Sequence, residues 1–168
     1  AKYKMNTYIY APKDDPYHRT NWKELYPEEQ AQQIAELDQA GHDNNFNFCW
    51  TIHPGATLQF NDTDFQALIN KYEQLYDLGV RQFGVLFDDT NDWYNGSAQV
   101  SFINRIDDEF VKAKGDVRPL IVVSARYNSA WGPTVSYFRP YMSDLHKDIQ
   151  IMWTGAATMS NISHDVYE

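Results

Sequence analysis

Cys49 is the only cysteine among 168 residues, so no disulfide can close within the chain. Its apolar neighbours Phe48 and Trp50 mark it as a buried strand thiol rather than a reactive one, and a lone thiol leaves the compartment open. Positive charge is also scarce. Fourteen Lys and Arg against 23 Asp and Glu give a net charge of −9, which argues against nucleic acid as a partner, because phosphate-backbone affinity comes from cations neutralising phosphates. No apolar run approaches the roughly 18 residues that a membrane-spanning helix needs, and the first residues do not read as a signal peptide. His18, His42, His53, His146 and His164 show no paired ligand spacing, and one cysteine cannot build a structural zinc site, so no metal is expected. A Gly-x-Ser-x-Gly nucleophile elbow is missing too. No glycine-rich phosphate fingerprint follows any strand-like run, and no cofactor is implied. Linkers and low-complexity tracts are absent.

What is present is a core-forming composition: 43% hydrophobic and 22% charged, with 12 Tyr, 9 Phe and 5 Trp. A domain of this length buries about 70% of the surface that its unfolded form exposes. Short β-rich runs recur at residues 5–10, 45–52, 82–87, 120–124 and 149–153, each followed by a helix-like segment. The first helix is expected to start near Pro27, to turn Ile34 and Leu37 inward and to stop near Gly41. In the second, Phe65, Leu68, Ile69, Tyr72, Leu75 and Tyr76 form one apolar stripe. Asn61, Asp62 or Thr63 can cap its start, and Gly79 can end it. Ser97 offers a cap for a third helix that carries Phe102, Ile103, Ile106 and Phe110 and ends near Gly115. A weaker fourth covers residues 134–147.

Alternating βα units with apolar strands imply an α/β fold with a parallel sheet under helices, either a barrel or a doubly wound sheet. The lack of a phosphate fingerprint and the clustering of unusual polar residues after strand ends favour the (β/α)8 TIM barrel. Eight units typically need about 250 residues, so about five units in residues 1–168 are expected to form one partial barrel domain.

Asp88 and Asp89 end the apolar run 83–87 at the rim of that barrel. Alternation places Leu86 and Asp88 on one face and Phe87 and Asp89 on the other, so both carboxylates reach one ligand only where strand gives way to loop. Two carboxylates at close range resist ionising together, which can leave an acid beside a base at neutral pH. The plainer alternative is that one caps a turn and the other is solvated. The loop 11–19, with Lys13, Asp14, Asp15, His18 and Arg19, fits either a ligand-binding loop or a surface turn with local charge pairing. His53-Pro54-Gly55, Ser124-Ala125-Arg126-Tyr127 and Trp153-Thr154-Gly155 follow other strands and add an imidazole, hydroxyls and rings to the same rim.

Taken together, Tyr8-Ile9-Tyr10-Ala11-Pro12-Lys13-Asp14-Asp15-Pro16-Tyr17-His18, Ile52-His53-Pro54-Gly55, Leu78-Gly79-Val80-Arg81 with Asp88-Asp89, Glu109 to Val117, and Met152-Trp153-Thr154-Gly155 resemble glycoside hydrolase family 84. That family contains bacterial β-N-acetylglucosaminidases, once named hyaluronidases, and animal O-GlcNAcases. The resemblance implies removal of β-linked N-acetylglucosamine from a glycan or glycoprotein by a retaining, substrate-assisted route through an oxazoline, an exception to the usual two-carboxylate scheme. It implies that Asp88 orients the acetamido N–H and that Asp89 is the general acid and base. It also places Lys13 on sugar hydroxyls, Tyr127 near the acetamido group and Thr154 in the pocket wall. A bacterial secreted or cell-surface protein is compatible with it. It further implies that the family's first strand and the late-barrel residues that close the pocket fall outside residues 1–168. An open sheet exposes strand edges, so the expectation is a homo-oligomer joined through those edges or a shortened chain. A catalytically silent, sugar-binding or self-associating fragment is the alternative reading.

Overall fold

The computed structural model describes residues 4–88, 90, 95–131 and 135–161. Five strands alternate with four helices: β1 Thr7–Tyr10, α1 Glu28–Asp43, β2 Asn47–Ile52, α2 Asp62–Asp77, β3 Phe83–Leu86, α3 Gly96–Ile106, β4 Ile121–Val123, α4 Val135–Ser143 and β5 Gln150–Met152. All four strand pairings are parallel, and the sheet order is β1-β2-β3-β4-β5. A doubly wound sheet reverses its strand order at a switch point. Here the order never reverses, and the sheet is a half-barrel.

The register explains which residues face the helices. Trp50 pairs with Phe83 and Ile52 with Val85, so alternation puts these four on one face. Trp50 and Phe83 meet the Tyr72 ring of α2 at centroid distances of 6.0 and 4.7 Å, and Phe110 joins Phe83 at 5.1 Å. The opposite, inner face carries Thr51 beside Gly84 and Leu86 beside Val123. Gly84 is needed there: a Cβ would lie 2.8 Å from the Ile121 carbonyl oxygen and 3.0 Å from Thr51 Cγ2.

The apolar stripe of α2 packs as expected, with Phe65, Leu68, Tyr72 and Leu75 buried and Ile69 and Tyr76 half-buried. Asn61 is its cap, accepting from the Asp64 N–H at 2.8 Å, and Gly79 takes φ +116° just past its end. Other expectations need correction. Leu37 is 44% exposed, whereas Ile34 is buried. Gly41 lies inside α1 rather than ending it. A Cβ there would come within 3.1 Å of the Phe46 carbonyl oxygen, so closeness to the returning chain selects the glycine. Asn95, not Ser97, caps α3, accepting from the Ala98 N–H at 3.0 Å. Past Ile106 that helix widens into a π-helical stretch, Asp107–Lys112. The fourth helix stops at Ser143, where the Asp144 and Leu145 N–H groups both turn back to the Pro140 carbonyl.

Candidate active site

The exits of β1, β2 and β3 are tied together by a continuous polar framework. Asp15, in the loop after β1, accepts from the Tyr10 and Tyr26 hydroxyls at 3.1 and 2.6 Å and from the Tyr17 and His18 N–H groups at 2.8 and 3.2 Å. Burial and this neighbouring carboxylate hold both tyrosine hydroxyls well above their ordinary pKa. Beneath the loop, Lys71 is fully buried, and its Nζ donates to the Tyr17 carbonyl at 2.6 Å and lies 4.9 Å from the centre of the Tyr26 ring. Desolvation lowers its pKa to about 8.

His18 is buried against the sheet. The Thr51 hydroxyl spends its one proton on the Tyr10 carbonyl at 2.7 Å, so at 3.2 Å it can only accept from His18 Nε2–H. That fixes the tautomer. Burial lowers the His18 pKa to about 4, opposed by Asp15 and aided by His53, Arg19 and Lys71. The His18 carbonyl in turn accepts from the His53 N–H at 3.0 Å, joining the loop after β1 to the exit of β2.

Asp88 stands one residue beyond Phe87, whose N–H extends the β3–β4 ladder to the Val123 carbonyl at 2.9 Å. The chain then turns, with both the N–H and the hydroxyl of Thr90 donating back to the Phe87 carbonyl. Asp88 Oδ1 is 3.7 Å from His53 Nε2, and the Asp88 side chain keeps 29% exposure while that of His53 has 3%. Arg19 Nη2 donates to the same imidazole nitrogen at 3.4 Å. A cavity of about 310 Å³ opens beside this group, lined by Arg19, Thr20, His53 and Pro54 among others. Asp89 lies outside the described residues.

The other expected site residues are placed as follows. Lys13 is exposed on the loop after β1. Tyr127, after β4, is half-buried, with its ring edge-on to Trp131 at 4.7 Å. Its carbonyl accepts from the Thr154 N–H at 2.9 Å and from the Thr154 hydroxyl at 3.2 Å, and that hydroxyl also reaches the Ala157 carbonyl at 2.7 Å. Thr154 therefore clips the exits of β4 and β5 together. In the sequence His53 is one imidazole of the rim among several groups, and nothing marks out His18 within the loop 11–19. The position of His53 directly after β2 was the available signal, but its contact with Asp88 joins residues 35 apart.

Among the described residues, one group with metal-ligand chemistry lies at the other end of the strands. Asp107, Asp108 and His146 bring ligand atoms within 4.8 Å of one another, yet the Lys112 ammonium already sits among them, 2.8 Å from each carboxylate and 3.1 Å from His146 Nδ1. The lysine neutralises the acids where an ion would bind.

A family model described as beta-N-acetylglucosaminidase matches residues 1–168. The chain belongs to that family. Protein O-GlcNAcase of Rattus norvegicus is 32% identical over 176 residues, covering 95% of this chain, and that of Mus musculus matches to the same extent. The solved structure of CpGH84B superposes with a TM-score of 0.86 at 41% identity over 95% of the chain, and that of CpGH84D with 0.87 at 36% over 98%. These family 84 neighbours bear out the incomplete TIM barrel. The chain spans 19% of the length of the curated relatives and 29% of each solved chain.

Proposed function

We propose that residues 1–168 form part of the catalytic barrel domain of a glycoside hydrolase that removes β-linked N-acetylglucosamine with retention, using the substrate's own acetamide. The family match over the whole chain carries this reading. In the proposed reaction the acetamido oxygen attacks the anomeric carbon as the glycosidic bond breaks, and Asp89 gives its proton to the departing oxygen. Asp88 accepts from the acetamido N–H, which orients the amide and balances the positive charge that develops on the oxazoline ring. Asp89 then takes a proton from water as the water opens the ring from the face that the aglycone left. No protein nucleophile is needed. A positioned acid and base contributes about 10²–10⁴-fold, and the held amide adds the advantage of an intramolecular reactant. Lys13 is assigned to sugar hydroxyls, Tyr127 to the acetamido side and Thr154 to the pocket wall.

The test is turnover of aryl β-N-acetylglucosaminides by this chain and by the full reading frame, side by side. Asp88→Ala is expected to slow all substrates, whereas Asp89→Ala slows those with poor leaving groups most. Equal losses across leaving groups would remove the assigned roles, and an inverted first product by proton NMR would remove the mechanism.

A second reading has an observation of its own. Every residue of β5 is exposed, and Met142, Ile151 and Trp153 line an apolar cavity of about 300 Å³ beside it. A fragment that associates through this margin would sediment as an oligomer and turn over nothing.

A further inference from the structure

Beside the exit of β4 lies a buried cluster of three polar side chains. Gln99 of α3 is fully buried, and Tyr137 and Tyr141 of α4 are 2% and 7% exposed. Both tyrosine hydroxyls donate to Gln99 Oε1 at 2.6 Å, which takes up both lone pairs of that oxygen. With its one proton given away, the Tyr137 hydroxyl is left to accept, and it takes the Ala125 N–H at 3.0 Å. Ala125 stands two residues before Tyr127, in the turn that the Ser124 hydroxyl closes by donating to the Arg126 carbonyl at 2.8 Å. The Tyr137 ring reaches the same turn by a second route. The Arg126 guanidinium lies 5.6 Å from the centre of that ring and donates to the Trp131 carbonyl at 3.4 Å, and the Trp131 ring meets that of Tyr127 edge-on at 4.7 Å. On its other side Tyr137 is seated against α3, the helix that follows the Asp88 turn: a Cβ on Gly96 would collide with the Tyr137 carbonyl oxygen.

We infer that Tyr137 is a positioning residue for Tyr127, its hydroxyl holding the β4-exit turn in a fixed place relative to α3 and so to the Asp88 end of β3. The inference rests on the role proposed above for Tyr127 on the acetamido side of the sugar. Thr154 already holds the Tyr127 carbonyl from the side of β5, and the Ala125 N–H is the matching hold from the side of α4. A buried N–H needs an acceptor. Without the Tyr137 oxygen the turn must shift to find one, and Tyr127 shifts with it. The bond from Tyr141 ends on the same Gln99 oxygen, one step removed from the turn, which makes that residue the control.

In the full reading frame, Tyr137→Phe is expected to lower kcat on an activated aryl β-N-acetylglucosaminide by about 10-fold with KM little changed. Tyr141→Phe, which removes a buried hydroxyl from the same acceptor, should keep kcat within about twofold. Equal losses for the two would mean that the cluster only packs the helices, and the inference would fall. A double-mutant cycle separates placement from general damage. If Tyr137 acts through Tyr127, then in a Tyr127→Phe background Tyr137→Phe costs less than about a further twofold. Losses that multiply, or a Tyr127→Phe protein with undiminished kcat, overturn the inference. A further measurement needs no turnover. In protein carrying ¹³C-labelled tyrosine, the Tyr127 ring resonances should move in Tyr137→Phe and stay in place in Tyr141→Phe, and a Tyr127 signal unmoved by Tyr137→Phe overturns the contact. Lack of turnover by the unaltered protein would instead remove the hexosaminidase reading, with the Tyr127 signal still deciding whether Tyr137 places that ring.

Discussion

At the first three strand exits, Asp15 collects four hydrogen bonds, Lys71 holds a loop carbonyl under two tyrosine rings, and His18 and His53 pass the framework on to Asp88. At the far margin, β5 has no buried residue, Met142 is 86% exposed, and Ile151, Met152 and Trp153 are each more than 40% exposed. One region is organised by polar groups that hydrogen-bond to one another within the chain. The other presents apolar surface beside an open strand edge, a pairing template wherever it is uncovered. Local folding information is thus concentrated where the candidate site begins, and the margin depends on what lies against it.

The contrast can be broken most directly at Asp15. Asp15→Ala strands two hydroxyls and two N–H groups, and a loss of about 3 kcal/mol in urea unfolding is expected. A loss below about 1 kcal/mol would show that the framework at the β1 exit is not what holds the loop. Next comes pH. An unfolded lysine keeps its proton to 10.5, whereas folded Lys71 releases it near 8, so between these values the unfolded state binds more protons and stability rises with pH. His18 acts likewise at lower pH: its folded value of about 4 against 6.5 means that stability falls as pH drops from 6.5 toward 4. Each slope is at most about 1.4 kcal/mol per pH unit. Thermal melts across pH should flatten in the upper window for Lys71→Met and in the lower for His18→Leu. The smallest effect belongs to the margin. Met142→Ser should change the stability of residues 1–168 by less than about 0.5 kcal/mol, and a larger loss would reveal that something already covers it.

Much of this was legible in the sequence where a signal is local. All five observed strands fall inside the runs at 5–10, 45–52, 82–87, 120–124 and 149–153, because apolar runs bounded by turn residues mark strands directly. The α2 stripe succeeded for the same reason. Failures came where tertiary contact decides: Gly41 serves closeness to Phe46 rather than helix termination, and Leu37 turns outward although its spacing fits a buried stripe. At the site, strand alternation placed Asp88 with Leu86 at the rim, but no pattern along the chain discloses that His53 lies behind it. Thr154 is bound up with the carbonyls of Tyr127 and Ala157, an arrangement set by how two distant loops meet.

Cys49 has no exposed surface, and burial pushes its thiol up to about 12. An alkylating reagent can therefore reach it only when β2 parts from its neighbours. As the only sulfhydryl in the chain, it is a built-in clock for opening of the sheet: the labelling rate, followed by mass, counts those excursions without any added probe.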